Sequence, residues 1–422
     1  MELERWRKRL IDMMQQELSN DDDEDAMTNI LLLQGLSAAV VSKRMRGPHG
    51  GSRPGRRANV ERGRQVGQER IWRDYFAQSP VHDDRMFRRR YRMRRSLFLR
   101  IMNSVTAHDD FFVQRRDACG QPGLSPLQKC TAAIRVLVGR RGLADACDEY
   151  CRLGESTAML CLKKFVRAVR EVFEGRYLRQ PTAADVRCQM ENNAARGFPG
   201  MFASLDCMYY DWKNWKKDRN NAIILEAIVD KRSWIWHCHF GLPGGKNDLS
   251  LVDRSPVVAN MLSVAANEFK FSVNGVEYPR YYLLTDDTYP RWSVFVQTIH
   301  EPQVEKNCLF AEMHEACRRD VERCFGVLQS RFAVIQNPSR LWDKEVVRDI
   351  MYACVILHNM IIEDEQDLNL EPCFDEQIVQ LRRGESFALE TQGTEDIDDL
   401  GRHFSLRNDL IEHLWALQGN SY

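Results

Sequence analysis

The chain lacks any apolar run long enough to span a bilayer: its longest, such as AIILEAIV and CVIL, fall well short of the roughly 20 residues a spanning helix needs. Its opening, MELERWRKRLIDMM, carries charge throughout and so has no apolar stretch of the kind found in a secretory signal. No two of its 13 cysteines are spaced CxxC, and Cys147 and Cys151 in CDEYC have no second ligand pair nearby, which excludes the common zinc-site patterns. An odd number of cysteines in a large chain without an export signal reads as reduced thiols, as in the cytosol or nucleus. Net charge is lacking as well, because 60 Lys and Arg balance 60 Asp and Glu.

That balance hides a strong asymmetry. From Lys43 to Arg100, 18 Lys and Arg against 5 Asp and Glu give +13; from Glu363 to Asp399, 13 acidic residues against 2 Arg give −11. Either the basic block meets a polyanion such as double-stranded DNA, or the two blocks neutralise each other.

Texture changes along the chain suggest four segments. Residues 1–70 read as a disordered arm, acidic in SNDDDEDAM and then rich in Gly and Arg, with too little apolar surface to fold alone. Its basic clusters suit nuclear import or loose phosphate contact. Residues 71–195 read as a helical domain. In FRRRYRMRRSLFLRIMNSV the helical period brings Phe87, Tyr91, Phe98 and Ile101 near one face, with arginines over the rest. Ser125 is a candidate N-cap, followed by Pro126 at the first helical position.

LADACDEYCRLG and ESTAMLCLKKFVRAVREVF then give two helical patterns separated at Gly154, with Ser156 or Thr157 able to cap the second. The pair is a candidate helix-turn-helix whose second helix carries Lys163, Lys164, Arg167 and Arg170 as candidate DNA contacts. A helical hairpin packed into a core gives the same pattern.

Residues 196–365 read as strands followed by helices, a mixed α/β domain with a central sheet flanked by helices. MFASLDCMYYDW is a strand running into Asp206; AIILEAIVD and SWIWHCHFG form a hairpin; RYYLLTDD is a further strand. Helical patterns cover Phe310 to Phe332 and Glu345 to Glu363. In the second, Val347, Ile350, Met351, Cys354, Leu357, His358 and Ile361 form an apolar stripe. Residues 366–422 read as an acidic linker and a C-terminal helix.

Three carboxylates stand out by position. Asp206 ends one strand, Asp286 ends another 80 residues later, and Glu322 follows within the helical CRRDVERCFGVLQSRF. Two strand-end carboxylates and one from a packing helix are what a two-metal phosphodiester site needs. Mg²⁺ takes hard oxygen ligands, and two ions can stabilise both the attacking and the leaving oxygen. Each residue has a plainer reading: Asp206 or Asp286 as a turn former, Glu322 as the helical partner of Arg318 or Arg319. Whether Asp286 or its neighbour Asp287 would be the ligand is left open by spacing.

Long stretches of the chain resemble the plant transposon protein family, the transposases and nuclease-like derivatives of the PIF/Harbinger superfamily. They include DYFAQSPVHDDRMFRRRYRMRRSLFLRI, GLSPLQKCTAAIRVL, ADACDEYCRLGESTAMLCLKKFVRAV, RGFPGMFASLDCMYYDWKNW, WIWHCHFGLPGGKNDLSLVDRSP, YYLLTDDTYPRW, RRDVERCFGVLQSRFAVI, ACVILHNMIIEDE and HFSLRNDLIEHLW, over roughly residues 72–418. The resemblance implies an RNase H-like nuclease domain with a DDE triad at Asp206, Asp286 and Glu322. It also implies Mg²⁺ or Mn²⁺, as two ions, and cleavage and strand transfer of transposon DNA in the nucleus. Double-stranded DNA, a separate Myb/SANT-like DNA-binding protein and further copies of the chain are the implied partners.

The sequence departs from the family in having Tyr209 and Tyr210 after DCM, Asp287 where a Gly is usual, and a short KKDRNN connection after WKNW. These departures favour an alternative, a domesticated, catalytically impaired derivative that serves as an interaction module on DNA or chromatin.

Overall fold

The computed structural model of the protein describes residues 62–139, 149–211, 222–243, 269–287, 289–336, 343–366, 368 and 397–419. Helices come first: α1 (Arg64–Tyr75), α2 (Asp84–Tyr91), α3 (Arg95–His108), α4 (Pro126–Val138), α5 (Glu155–Tyr177) and α6 (Ala183–Ala194). Strands follow as β1 (Met201–Asp211), β2 (Ala222–Val229), β3 (Ile235–Pro243), β4 (Phe271–Val273), β5 (Val276–Tyr278), β6 (Tyr282–Thr285) and β7 (Phe295–Gln297). Then come α7 (Glu305–Arg331), the short α8 (Ala333–Gln336), α9 (Lys344–Glu365) and α10 (Ile397–Gly419).

The main sheet has the order β3-β2-β1-β6-β7. β1, β2 and β3 are antiparallel neighbours, whereas β6 joins β1 and β7 joins β6 in parallel. This is a mixed α/β architecture with a five-stranded mixed sheet, as the succession of strands and helices suggests. β4 and β5 pair separately as a small hairpin.

Side chains alternate across a strand, so one face of β1 is defined by every second residue. From Ser204 onward that face meets α7 and α8. Ser204 Oγ donates to the Cys317 carbonyl at 3.3 Å, Arg318 Nη2 donates to Asp206 Oδ2 at 3.0 Å, Gln329 Nε2 reaches Met208 Sδ at 2.9 Å, and Tyr210 Oη donates to the Val334 carbonyl at 3.4 Å. The long helix α7 thus crosses the sheet above its central strand and carries Glu322 with it.

One cluster of buried apolar side chains extends from Ile71 on α1 to Ile361 on α9, so the leading helices and the β1–β3 part of the sheet share a core. α5 packs chiefly against α9 and α4. Asn359 pins this junction: its Nδ2 donates to the carbonyls of Tyr177 (2.9 Å) and Ile235 (2.7 Å), and its Oδ1 accepts from the Ile235 amide at 3.0 Å.

Several sequence expectations are met and others change. Ser125 caps α4 in a full capping box with Gln128, and Pro126 is the first helical residue. The helical pattern around Phe87 is two helices rather than one, because Arg92 adopts a left-handed conformation (φ 61°) that ends α2 before α3 begins. Phe87, Tyr91, Phe98 and Ile101 are nonetheless all buried. α5 begins at Glu155 after Gly154, so Ser156 and Thr157 lie in its first turn instead of capping it.

α1 begins at Arg64, within the span read as arm, and is anchored where Gly67 packs so closely on the Cys151 carbonyl that a Cβ would lie 2.8 Å from it. Residues 1–61 of the arm, the first half of the LADACDEYCRLG pattern, the KKDRNN connection and most of the acidic linker lie outside the described residues. Among the described residues no helix is long and apolar enough to cross a membrane.

Candidate active site

Asp206 does not end its strand. β1 continues to Asp211, and Asp206 lies opposite Ala227 of β2. The parallel pairing with β6 explains the position. Ser204 sits opposite Leu284, and two residues further along each strand lie Asp206 and Asp286, the latter immediately past the end of β6. A step of two from Ser204 keeps Asp206 on the face that α7 covers, and Asp286 lies just beyond the matching end of β6. Their electrostatic coupling agrees: the Asp286 charge adds to burial in raising the pKa of Asp206.

Arg318, one turn before Glu322 on α7, lies among Asp206, Glu322 and Glu315. Its Nη2 lies 3.0 Å from Asp206 Oδ2 and 3.7 Å from Glu322 Oε1, while its Nη1 lies 3.5 Å from Glu315 Oε2. The Arg318 side chain is 8% exposed and that of Asp206 13%, so the pair sits largely out of water. The negative field of Asp206, Glu315 and Asp286 outweighs burial and raises the Arg318 pKa.

Burial is the main cause pushing Asp206 up to about 6, with the Asp286 charge adding to it. Arg318 and the Cys207 amide, which donates to Asp206 Oδ1 at 2.7 Å, oppose the rise. The site is therefore an excess of carboxylate around one guanidinium.

Asp286 and Asp287 part ways. Asp286 is half-buried and felt by Asp206 and Arg318, whereas Asp287 is exposed and its Oδ2 lies 2.7 Å from His300 Nε2. On the opposite face of β1, Cys207 Sγ lies 3.0 Å from the buried Tyr289 hydroxyl. Sequence reasoning passed over Tyr289, whose only signal is its place in the Tyr-Pro turn that follows Asp287.

The donor chemistry suits a hard divalent ion, since all three candidate ligands offer carboxylate oxygens. The arrangement does not. The guanidinium of Arg318 engages Asp206 and Glu322, and among the described residues no group of three or more His, Cys, Asp or Glu is arranged to hold a metal ion. As it stands the trio is compensated by an internal cation.

The four candidate DNA contacts are placed differently. α5 is a core helix with one face buried along its length. Lys164 pairs with Asp109 (3.1 Å), Arg167 with Glu171 (2.8 Å), and Arg170 with Glu174 (3.0 Å) and Asp349 (2.9 Å); Lys163 is exposed. Lys164 and Arg170 thus pair with residues of other elements, whereas Lys163 and Arg167 lie on the exposed side of the helix.

The basic block is partly paired too. Arg88 pairs with Glu365, Arg94 with Asp364, and Arg100 with Glu363, at the C-terminal end of α9. For these residues the acidic and basic blocks neutralise each other. Arg85 and Arg89 remain exposed.

Residues 175–369 match the family model described as plant transposon protein, and a second model, described as a domain of unknown function, matches residues 67–106. The first match spans the whole five-stranded sheet together with Asp206, Asp286, Arg318 and Glu322. This part of the chain is similar to a transposon-derived family, over a shorter span than the resemblance read from the sequence. No curated protein and no solved structure matches the chain.

Proposed function

We propose that the protein is a transposase-type nuclease acting on double-stranded DNA, with Asp206, Asp286 and Glu322 as its reaction centre. One observation carries the reading. Register and packing bring three carboxylates, distant in sequence, to one end of the β1–β6 pair beneath α7, inside the span similar to plant transposon proteins. The strand order β3-β2-β1-β6-β7, antiparallel on one side of β1 and parallel on the other, supports the RNase H-like form of that reading. The reaction class is phosphodiester hydrolysis followed by strand transfer.

Mg²⁺ or Mn²⁺, as two ions, belongs to the proposal, with the oxygens of Asp206, Asp286 and Glu322 as donors once Arg318 no longer engages them. Sequence recognition is assigned to a separate Myb/SANT-like protein, as the family resemblance implies. Assembly of further copies on DNA and action in the nucleus complete the reading.

The test is cleavage of labelled duplex DNA by the purified full-length chain with Mg²⁺ or Mn²⁺, with and without candidate DNA-binding partners. Cleavage by the wild type that is lost in both Asp206→Ala and Glu322→Ala is the expected result. No cleavage by the wild type under any of these conditions would leave the domesticated, impaired form as the better account.

A further inference from the structure

The mismatch between the carboxylate donors and the guanidinium among them has a consequence of its own. We infer that Arg318 is an internal counter-ion occupying the cation position of the trio, so that a divalent ion takes Asp206 and Glu322 only when the guanidinium swings away. This rests on the reading of the trio as a cation site.

The geometry makes the two occupants exclusive. A single nitrogen, Nη2, serves both Asp206 Oδ2 and Glu322 Oε1, at 3.0 and 3.7 Å. A divalent ion bound to those oxygens at about 2.1 Å would stand within about 5 Å of that nitrogen. There two cations repel strongly in a site so poor in water. Asp206 Oδ1 accepts from the Cys207 amide at 2.7 Å, so the remaining oxygen is the one that Arg318 holds.

The departing side chain has a landing place. Glu315 lies one turn earlier on α7, 3.5 Å from Nη1, and its side chain is 31% exposed, against 27% for Glu322. A pivot toward Glu315 keeps Arg318 paired while it frees Asp206. Arg318 also opposes the effect that the Asp286 charge has on the buried Asp206.

The experiment measures Mn²⁺ binding by calorimetry, and thermal unfolding in EDTA and in Mn²⁺, for the full-length wild type, Arg318→Gln and Arg318→Lys. Arg318→Gln is expected to bind Mn²⁺ about tenfold or more tightly than wild type, as loss of a unit charge within about 5 Å implies. Its unfolding midpoint falls in EDTA and recovers with Mn²⁺. Arg318→Lys, which keeps the charge, stays near wild type in affinity, and Asp206→Asn added to Arg318→Gln cancels the gain.

Equal affinity of wild type and Arg318→Gln, lost with Asp206→Asn, would overturn the counter-ion role while leaving the nuclease reading intact. Absence of Mn²⁺ uptake by both proteins would overturn the role and the cation site together. If Arg318→Gln is unfolded in EDTA, folding on addition of saturating Mn²⁺ supports the role, and failure to fold contradicts it.

Discussion

At Arg318 and Asp206, two residues of opposite charge are buried together, and neither is dispensable to the other. Removing the carboxylate leaves a largely buried guanidinium with Glu322 and Glu315 as longer-range partners, at 3.7 and 3.5 Å, and the more distant charge of Asp286. Asp206→Ala is therefore expected to destabilise the fold by about 1–3 kcal/mol, the usual cost of leaving a buried polar group poorly met. Urea unfolding followed by circular dichroism measures it; an unchanged midpoint would show that the pair contributes nothing net.

The three carboxylates were legible in the sequence as residues worth singling out, and the Arg318–Glu322 contact follows from helical spacing alone. The bond from Arg318 to Asp206 was not legible. It joins positions 112 residues apart, and its existence depends on which face of β1 meets α7. The expectation that Asp206 ends its strand failed for a related reason: pairing with β2 carries β1 on to Asp211, whereas pairing with β6 stops near Ser204.

At the scale of elements, α9 shows how a pattern read correctly can still be incomplete. Its expected stripe, Val347 to Ile361, is buried throughout. So are Ala353, Val355, Ile356, Asn359 and Met360, because α5 lies against one side of the helix and β3 also packs on it. A helix covered on several sides has no polar face to betray its orientation, and an asparagine within it must be satisfied internally. Asn359 meets that demand by bonding Tyr177 at the end of α5 and Ile235 at the start of β3. Asn359→Ala breaks these three hydrogen bonds at once and is expected to cost about 3 kcal/mol or more. A loss under 1 kcal/mol in chemical denaturation, roughly one net hydrogen bond, would contradict the role of this side chain as the junction's pin.

The break between α2 and α3 is another limit of periodicity. The arginine-rich run keeps helical spacing across the break, which the left-handed Arg92 and the extended Arg94 make in the backbone. Arg94, just past the break, bonds both carboxylate oxygens of Asp364 at 2.6 Å and the Asp364 carbonyl at 2.8 Å. Because the Arg94 side chain is 35% exposed, Arg94→Ala is expected to cost only about 1 kcal/mol, and less at high salt. Denaturation at two ionic strengths distinguishes this from a salt-independent packing loss.

For the whole molecule, the charge pattern and the buried histidines set its response to solution conditions. A net charge of zero conceals basic and acidic blocks that meet at the end of α9, a closure that composition could suggest but not locate. His314 and His358 are fully buried. Burial lowers His358 to about 3, with the Arg331 charge adding to the effect and the Ser233 carbonyl opposing it. Burial likewise lowers His314 to about 4, with Arg318 adding and the Val296 carbonyl opposing.

Both histidines take up protons more readily in the unfolded chain, near pH 6.5, than in the folded one. Their contribution is thus fully present above about pH 6.5 and is lost as the pH falls toward 4 and then 3. Unfolding midpoints measured between pH 7 and pH 4 should fall steadily, and replacing His358 with a neutral residue of similar volume should flatten part of that slope. A midpoint independent of pH over this range would contradict the burial of these groups.

The most direct test of the central claim compares Asp286→Asn with Asp287→Asn in the cleavage of labelled duplex DNA. These neighbours differ in environment, one facing Asp206 and Arg318 and the other paired with the exposed His300. Loss of cleavage in Asp286→Asn, with Asp287→Asn cutting as wild type does, is the outcome this account requires. Cleavage that survives Asp286→Asn, or that disappears only with Asp287→Asn, would contradict it.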